Sequence, residues 1–109
     1  MVNNMELNYE QLLCVVIAEA GTSKSASISA LDEIADHEYE EARNLITEAE
    51  EHLTKAHDAH LSILKMEANG ELPPLSFLFC HAADLLAAAE TAHDIVQPFI
   101  RIMEERDNA

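Results

Sequence analysis

Residues that stop a helix are scarce in this chain and fall at few places: Gly21, the stretch from Gly70 to Pro74, and Pro98. Glycine and proline are the poorest residues inside a helix, whereas alanine, leucine and glutamate favour one. A chain rich in the latter and poor in turn formers is expected to be long helices with few loops. At 109 residues it suits a single domain, 1–109, with one core. Aromatic residues make up 5% of it, so that core must be aliphatic and alanine-rich. Such faces pack closely but bury little area per residue, so a bundle of this size gains from self-association.

The apolar period defines three segments. The first runs from about Met5 to Ala35, with Leu12, Leu13, Val16, Ile17, Ala20, Ile28, Leu31 and Ile34 in helical spacing. Gly21-Thr22-Ser23 interrupts it, and a bend or short break is expected there. The second starts near Asp36 as N-cap, with Glu38, Glu40 and Glu41 close to the positive end of the helix dipole. It stops at Asn69-Gly70. Pro73-Pro74 closes the loop and suits the first position of a third helix, which runs to about Arg106 with a kink at Pro98. Leu78, Ala82, Leu85, Leu86, Ala89, Ala92, Ile95, Val96, Phe99, Ile100 and Met103 give that helix more than a simple amphipathic stripe. It must be covered on more than one side, and two neighbours cannot do that. The expected architecture is all-α: a three-helix up-down-up bundle that oligomerises through its third helix.

Net charge is −15, with only six Lys and Arg. Phosphate backbones and anionic membrane surfaces need clustered cations, so the charge argues against nucleic acid and such membranes as partners. A basic-rimmed protein partner would be attracted, and the charge also keeps the chain in solution. The longest apolar run, Leu12 to Ala18, is too short to span a bilayer. No signal pattern opens the chain. Cys14 and Cys80 are far apart and form no CxxC, which suits a reduced, intracellular setting. Cys14, in its apolar run, reads as a small core residue.

His81 and Asp84 stand three apart in "FCHAADLLAAAE", otherwise apolar or small. On a helix they share a face. The residues alone allow a structural pair, a metal site, or a nucleophilic imidazole tuned by its neighbour. Other histidines invite plainer readings. His57 and His60 are spaced for a metal but suit a helix interface better. His37 and His52 lie among carboxylates and read as surface. Glu90-x-x-His93 is half of a di-iron helix motif, and one copy is too little.

The run from Phe77 to Glu90 resembles the phosphorylation-site region of the IIA proteins of the lactose/cellobiose (diacetylchitobiose) family of the bacterial phosphotransferase system. That family reads His-Ala/Gly-Gln-Asp-His-Leu-Met where this chain has His81-Ala82-Ala83-Asp84-Leu85-Leu86-Ala87. "AEAGTSKSASISAL", "ITEAEEHLTKAHDAH" and "EANGELPPLSFLFCHAAD" resemble other family segments in the same order, so the likeness covers about residues 6 to 105. It implies a cytoplasmic homotrimer of three-helix subunits. It implies that His81 is the phospho-acceptor, of the tele-phosphohistidine type, taking its group from phospho-HPr and passing it to a cysteine of the IIB component during uptake of a β-linked disaccharide. The membrane IIC component is an indirect partner. Asp84 is implied as a metal ligand on the three-fold axis, for one Mg2+ per trimer, and His57 as a phosphate-site contact. Lys24 stands where the family has an arginine, without the planar fork. Ala83 and Leu85 replace a glutamine and a histidine, so neither can donate a side-chain hydrogen bond. That departure motivates a degenerate, partner-binding IIA-like protein as an alternative. A histidine-phosphotransfer signalling domain fits less well, because no Lys or Arg lies between Lys65 and Arg101.

Overall fold

The computed structural model describes residues 4–71 and 76–109, with side chains described from residue 8. Three α-helices make up the fold: α1 (Asn4–Ala35), α2 (Tyr39–Ala68) and α3 (Phe77–Asp107). They run up, down and up in a rod of 61 × 22 × 19 Å. Pro73-Pro74 lie outside the described residues, but α3 opens at Phe77 with Ser76 as its N-cap, so they do not hold its first position as expected.

The break expected at Gly21-Thr22-Ser23 is absent, and α1 is unbroken. Its weak helix formers are held by what they touch. Thr22 Oγ1 donates to the Ala18 carbonyl at 2.9 Å, and Ser23 Oγ crosses to the Ala49 carbonyl of α2 at 2.8 Å. Packing overrides local propensity here.

The turns that end α1 and α2 have one geometry. The Glu38 amide bonds to the Glu33 carbonyl and the His37 amide to that of Ile34; Glu71 and Gly70 repeat this on Met66 and Glu67. These are Schellman motifs, whose penultimate residue takes a left-handed backbone. Gly70 does so at φ 71 and His37 at φ 62. Asp36 therefore caps the C-terminus of α1 and opens the turn, and is not the N-cap of α2. That cap is Glu38, whose side chain makes no capping bond.

Alanines and serines of α1 meet alanines of α2 at close range. Ala20, Ser23, Ala30, Ala42, Ala49 and Ala56 are fully buried. A wider cluster joins Tyr9, Leu13, Val16, Ala59, Ile63, Ala82, Leu86 and Ala89, and a second joins Ile34, Ile46, Val96 and Ile100. The Leu12 to Ala18 run is split between faces: Leu13 and Val16 point inward, and Val15 is 42% exposed. Cys14 is exposed, not a core residue, because it shares the outward face with Val15. No described helix is long and apolar enough to cross a membrane.

Candidate functional site

The first turn of α3 is fixed from two sides. Ser76 is its N-cap and accepts a hydrogen bond from the Phe79 amide at 3.1 Å. Tyr9 of α1 lies near it; burial raises the Tyr9 pKa, and the nearby Ser76 hydroxyl partly offsets this. One turn on, Ala82 and Leu86 face the core and turn His81 and Asp84 outward, both exposed. No hydrogen bond or ion pair joins His81 to Asp84 or to any other described residue. A satisfied structural pair is not what this helix holds.

That separates His81 from most of the other histidines. Of six in the chain, four are held by carboxylates of other elements. His37 Nδ1 meets Asp107 at 2.5 Å, His52 Nδ1 meets Glu19 at 2.5 Å, His57 Nε2 meets Glu90 at 2.6 Å and His93 Nε2 meets Glu50 at 2.8 Å. His52 is thus a half-buried α1–α2 bridge, not a surface residue. Glu90 and His93 bind α2 rather than a metal. The signal sequence reading missed was their partners: Arg43, Glu50 and His57 recur every seven residues on α2 and face α3.

Asp84 belongs to a second feature. Phe77, Asp84, Ala88, Ile95 and Ile102 follow spacings of seven, four, seven and seven along α3, and lie on one strip opposite its buried residues. Phe77 is 89% exposed, Ile95 64% and Ile102 51%. This is a coiled-coil-like seam with no partner in the single chain and one charge, at Asp84. The breadth expected of the third helix is real, and this strip is the part the bundle leaves uncovered. α3 runs unbroken through Pro98, which has no amide to give the Asp94 carbonyl.

Among the described residues no three His, Cys, Asp or Glu side chains gather as a metal site. Asp84 alone offers a single carboxylate, and Ala83 and Leu85 beside it offer no donor.

The chain matches the model of the family described as "PTS system, Lactose/Cellobiose specific IIA subunit" over residues 11–104. It is 31% identical to the lichenan-specific phosphotransferase enzyme IIA component of Bacillus subtilis (strain 168) over 101 residues, 93% of this chain and 92% of that one. It is 29% identical, with the same shares, to the oligo-beta-mannoside-specific EIIA component of that organism. The crystal structure of the PTS cellobiose-specific enzyme IIA from Bacillus anthracis superimposes with a TM-score of 0.86 at 26% identity, covering 99% of this chain and 95% of the other. An uninterrupted three-helix bundle and family likeness from Gln11 to Glu104 lead to one conclusion: the chain belongs to the lactose/cellobiose-specific IIA family, and is a sugar-specific phosphotransferase-system IIA component.

Proposed function

We propose that His81 is the phosphocarrier of this IIA protein, charged by phospho-HPr and discharged to a cysteine of the IIB component during uptake of a β-linked disaccharide in the cytoplasm. The observation that carries this is the state of the imidazole. His81 is exposed, sits on a capped helix and is engaged by no described carboxylate. A nucleophile needs a free ring-nitrogen lone pair, and an exposed imidazole with neither nitrogen engaged can present one to a donor protein. In the first step that lone pair forms a P–N bond while the bond from phosphorus to the HPr donor atom breaks with its electrons. In the second, a IIB thiolate forms a P–S bond, and the ring nitrogen keeps the electron pair and regains a proton. Such transfer needs positioning and charge stabilisation more than covalent machinery.

Self-association supports the same reading. The strip of Phe77, Ala88, Ile95 and Ile102 suits a homotrimer packed about α3, which would bring Asp84 carboxylates together. Like charges at close range are costly without a counter-ion. Oxygen ligands suit a hard divalent cation such as magnesium, so Asp84 from several copies would hold it, and its charge would offset their repulsion. His57, tied to Glu90 within its own chain, is the candidate for contact with a neighbour's phosphoryl group.

The test is transfer of label from phosphoenolpyruvate through enzyme I and HPr. Acid-labile label on the wild type, absent from His81→Gln of unchanged helicity, is the expected result. Label retained by that variant refutes the assignment. A folded, unlabelled wild type would instead favour a partner-binding role, in line with Ala83 and Leu85.

A further inference from the structure

The α2–α3 seam is the thinnest of the three helix contacts, and it is laced by charge. Three rungs cross it at heptad spacing on α2: Arg43 to Glu104, Glu50 to His93, and His57 to Glu90. The middle rung is the most enclosed on its histidine side, the His93 side chain being 12% exposed. Both of its ring nitrogens face carboxylates: Nε2 lies 2.8 Å from Glu50 Oε1 and Nδ1 lies 3.2 Å from Asp94 Oδ1. A neutral imidazole has one N–H, so one nitrogen would turn a lone pair toward a carboxylate. Only the imidazolium satisfies both contacts. Gln97 donates to the same Glu50 oxygen at 3.3 Å, so Glu50 is held at the seam by two groups of α3.

We propose that this rung is a pH-operated latch: with both ring nitrogens protonated, His93 holds Glu50 of α2 onto α3 by a charge-assisted contact, and loss of that proton leaves only neutral donors there and loosens the seam. The charged groups that act on the ring are Glu50 from α2 and Asp94 from α3 itself. On α1, Ser23 is turned to α2, its hydroxyl bound to the carbonyl of Ala49 next to Glu50, and carries no charge. The balance of effects agrees with the geometry. Burial disfavours the charged ring, but the hydrogen bonds of Glu50 and Asp94 outweigh it, and the His93 pKa is raised above 6.5. A raised folded-state value gives stabilisation that is complete below the unfolded value and lost as pH climbs through the folded one. Release has somewhere to go. A groove of about 570 Å³ between α2 and α3 begins at Glu50 and Gln97 and continues past Ile46, Ile100 and Arg101. When the ring loses its charge, Glu50 is held to α3 by neutral donors alone, and the seam opens more readily from that end.

Two measurements on the full chain test this. Ring-nitrogen NMR of His93 should titrate with a midpoint above 6.5, and Glu50→Gln should move it down. Amide exchange around Glu50 and His93, corrected for its intrinsic pH dependence, should quicken as pH rises through that midpoint. In Glu50→Gln and in His93→Gln it should be fast throughout, with the pH dependence gone. A wild-type midpoint at or below 6.5, a midpoint indifferent to Glu50→Gln, or seam protection constant across the range overturns the proposal. If Glu50→Gln does not fold, His93→Gln, which keeps a neutral donor for Glu50, decides the exchange arm alone.

Discussion

Two serines one turn apart on α1 should answer alanine substitution with opposite signs. Ser23 and Ser27 are both fully buried. Ser23 Oγ donates to the Ala49 carbonyl of α2 at 2.8 Å, while Ser27 Oγ has no partner among the described residues. Removing Ser23 Oγ loses a net hydrogen bond of about 1 kcal/mol. The Ala49 carbonyl keeps its intrahelical bond, so no further orphan is made, and alanine's better propensity returns a few tenths. Removing Ser27 Oγ ends the burial of an unpaired hydroxyl, a group costing ~1–3 kcal/mol, and the propensity gain adds to it. The two variants should therefore differ by about 2 kcal/mol, roughly a thirtyfold difference in folding equilibrium. In melting temperature that is about 4–8 °C per kcal/mol, with Ser27→Ala above wild type and Ser23→Ala below. Urea unfolding at one fixed protomer concentration is the assay, because assembly makes apparent stability concentration-dependent. Ser27→Ala less stable than wild type would refute the reasoning.

The two glycines should also diverge. Gly70→Ala places a side chain at φ 71 and should cost about 1 kcal/mol, whereas Gly21→Ala, whose new methyl meets Leu85 at an ordinary 3.9 Å, should add roughly 1 kcal/mol; thermal melts of both decide. Ile95→Asp should raise the dissociation constant of the proposed homotrimer by at least tenfold in sedimentation, since it would bury a second charge on the α3 strip, and an unchanged constant would refute that strip as the interface. Asp107 is held below its ordinary 3.8 by hydrogen bonds from Tyr39 and His37. Its contribution is present above 3.8 and lost as pH falls through the lower folded value, so acid should fray the C-terminal turn of α3, read by amide exchange, and Tyr39→Phe should reduce that dependence.

How far the sequence could be read followed the kind of signal involved. Helix number and order were legible from the rarity of breakers, and α3 ends at Asp107, one residue past the expected Arg106. Where sequence reading erred, the deciding contact lay elsewhere in the chain. Gly21-Thr22-Ser23 looks like a break until Ser23 finds Ala49. Asp36 looks like a cap until His37 takes the left-handed turn, bound to Asp107 seventy residues away. His81 was legible because its neighbours in sequence are also its surroundings. The His93 rung was not, because Glu50 lies on another helix.

These particulars bear on why a helix, and this one, carries the candidate site. α3 divides its circumference. One face is core, one holds α2 through the charged rungs, and the outer strip bears Phe77, Asp84, Ile95 and Ile102. His81 sits on the outer side, one turn past a capped start and clear of the rungs. Four other histidines are tied to carboxylates of other elements, which sets His81 apart as an exposed imidazole with no such tie. A nucleophile on a loop would add the entropy of ordering that loop to every transfer. On α3 its position is set by the same packing of Ala82 and Leu86 that holds the bundle together.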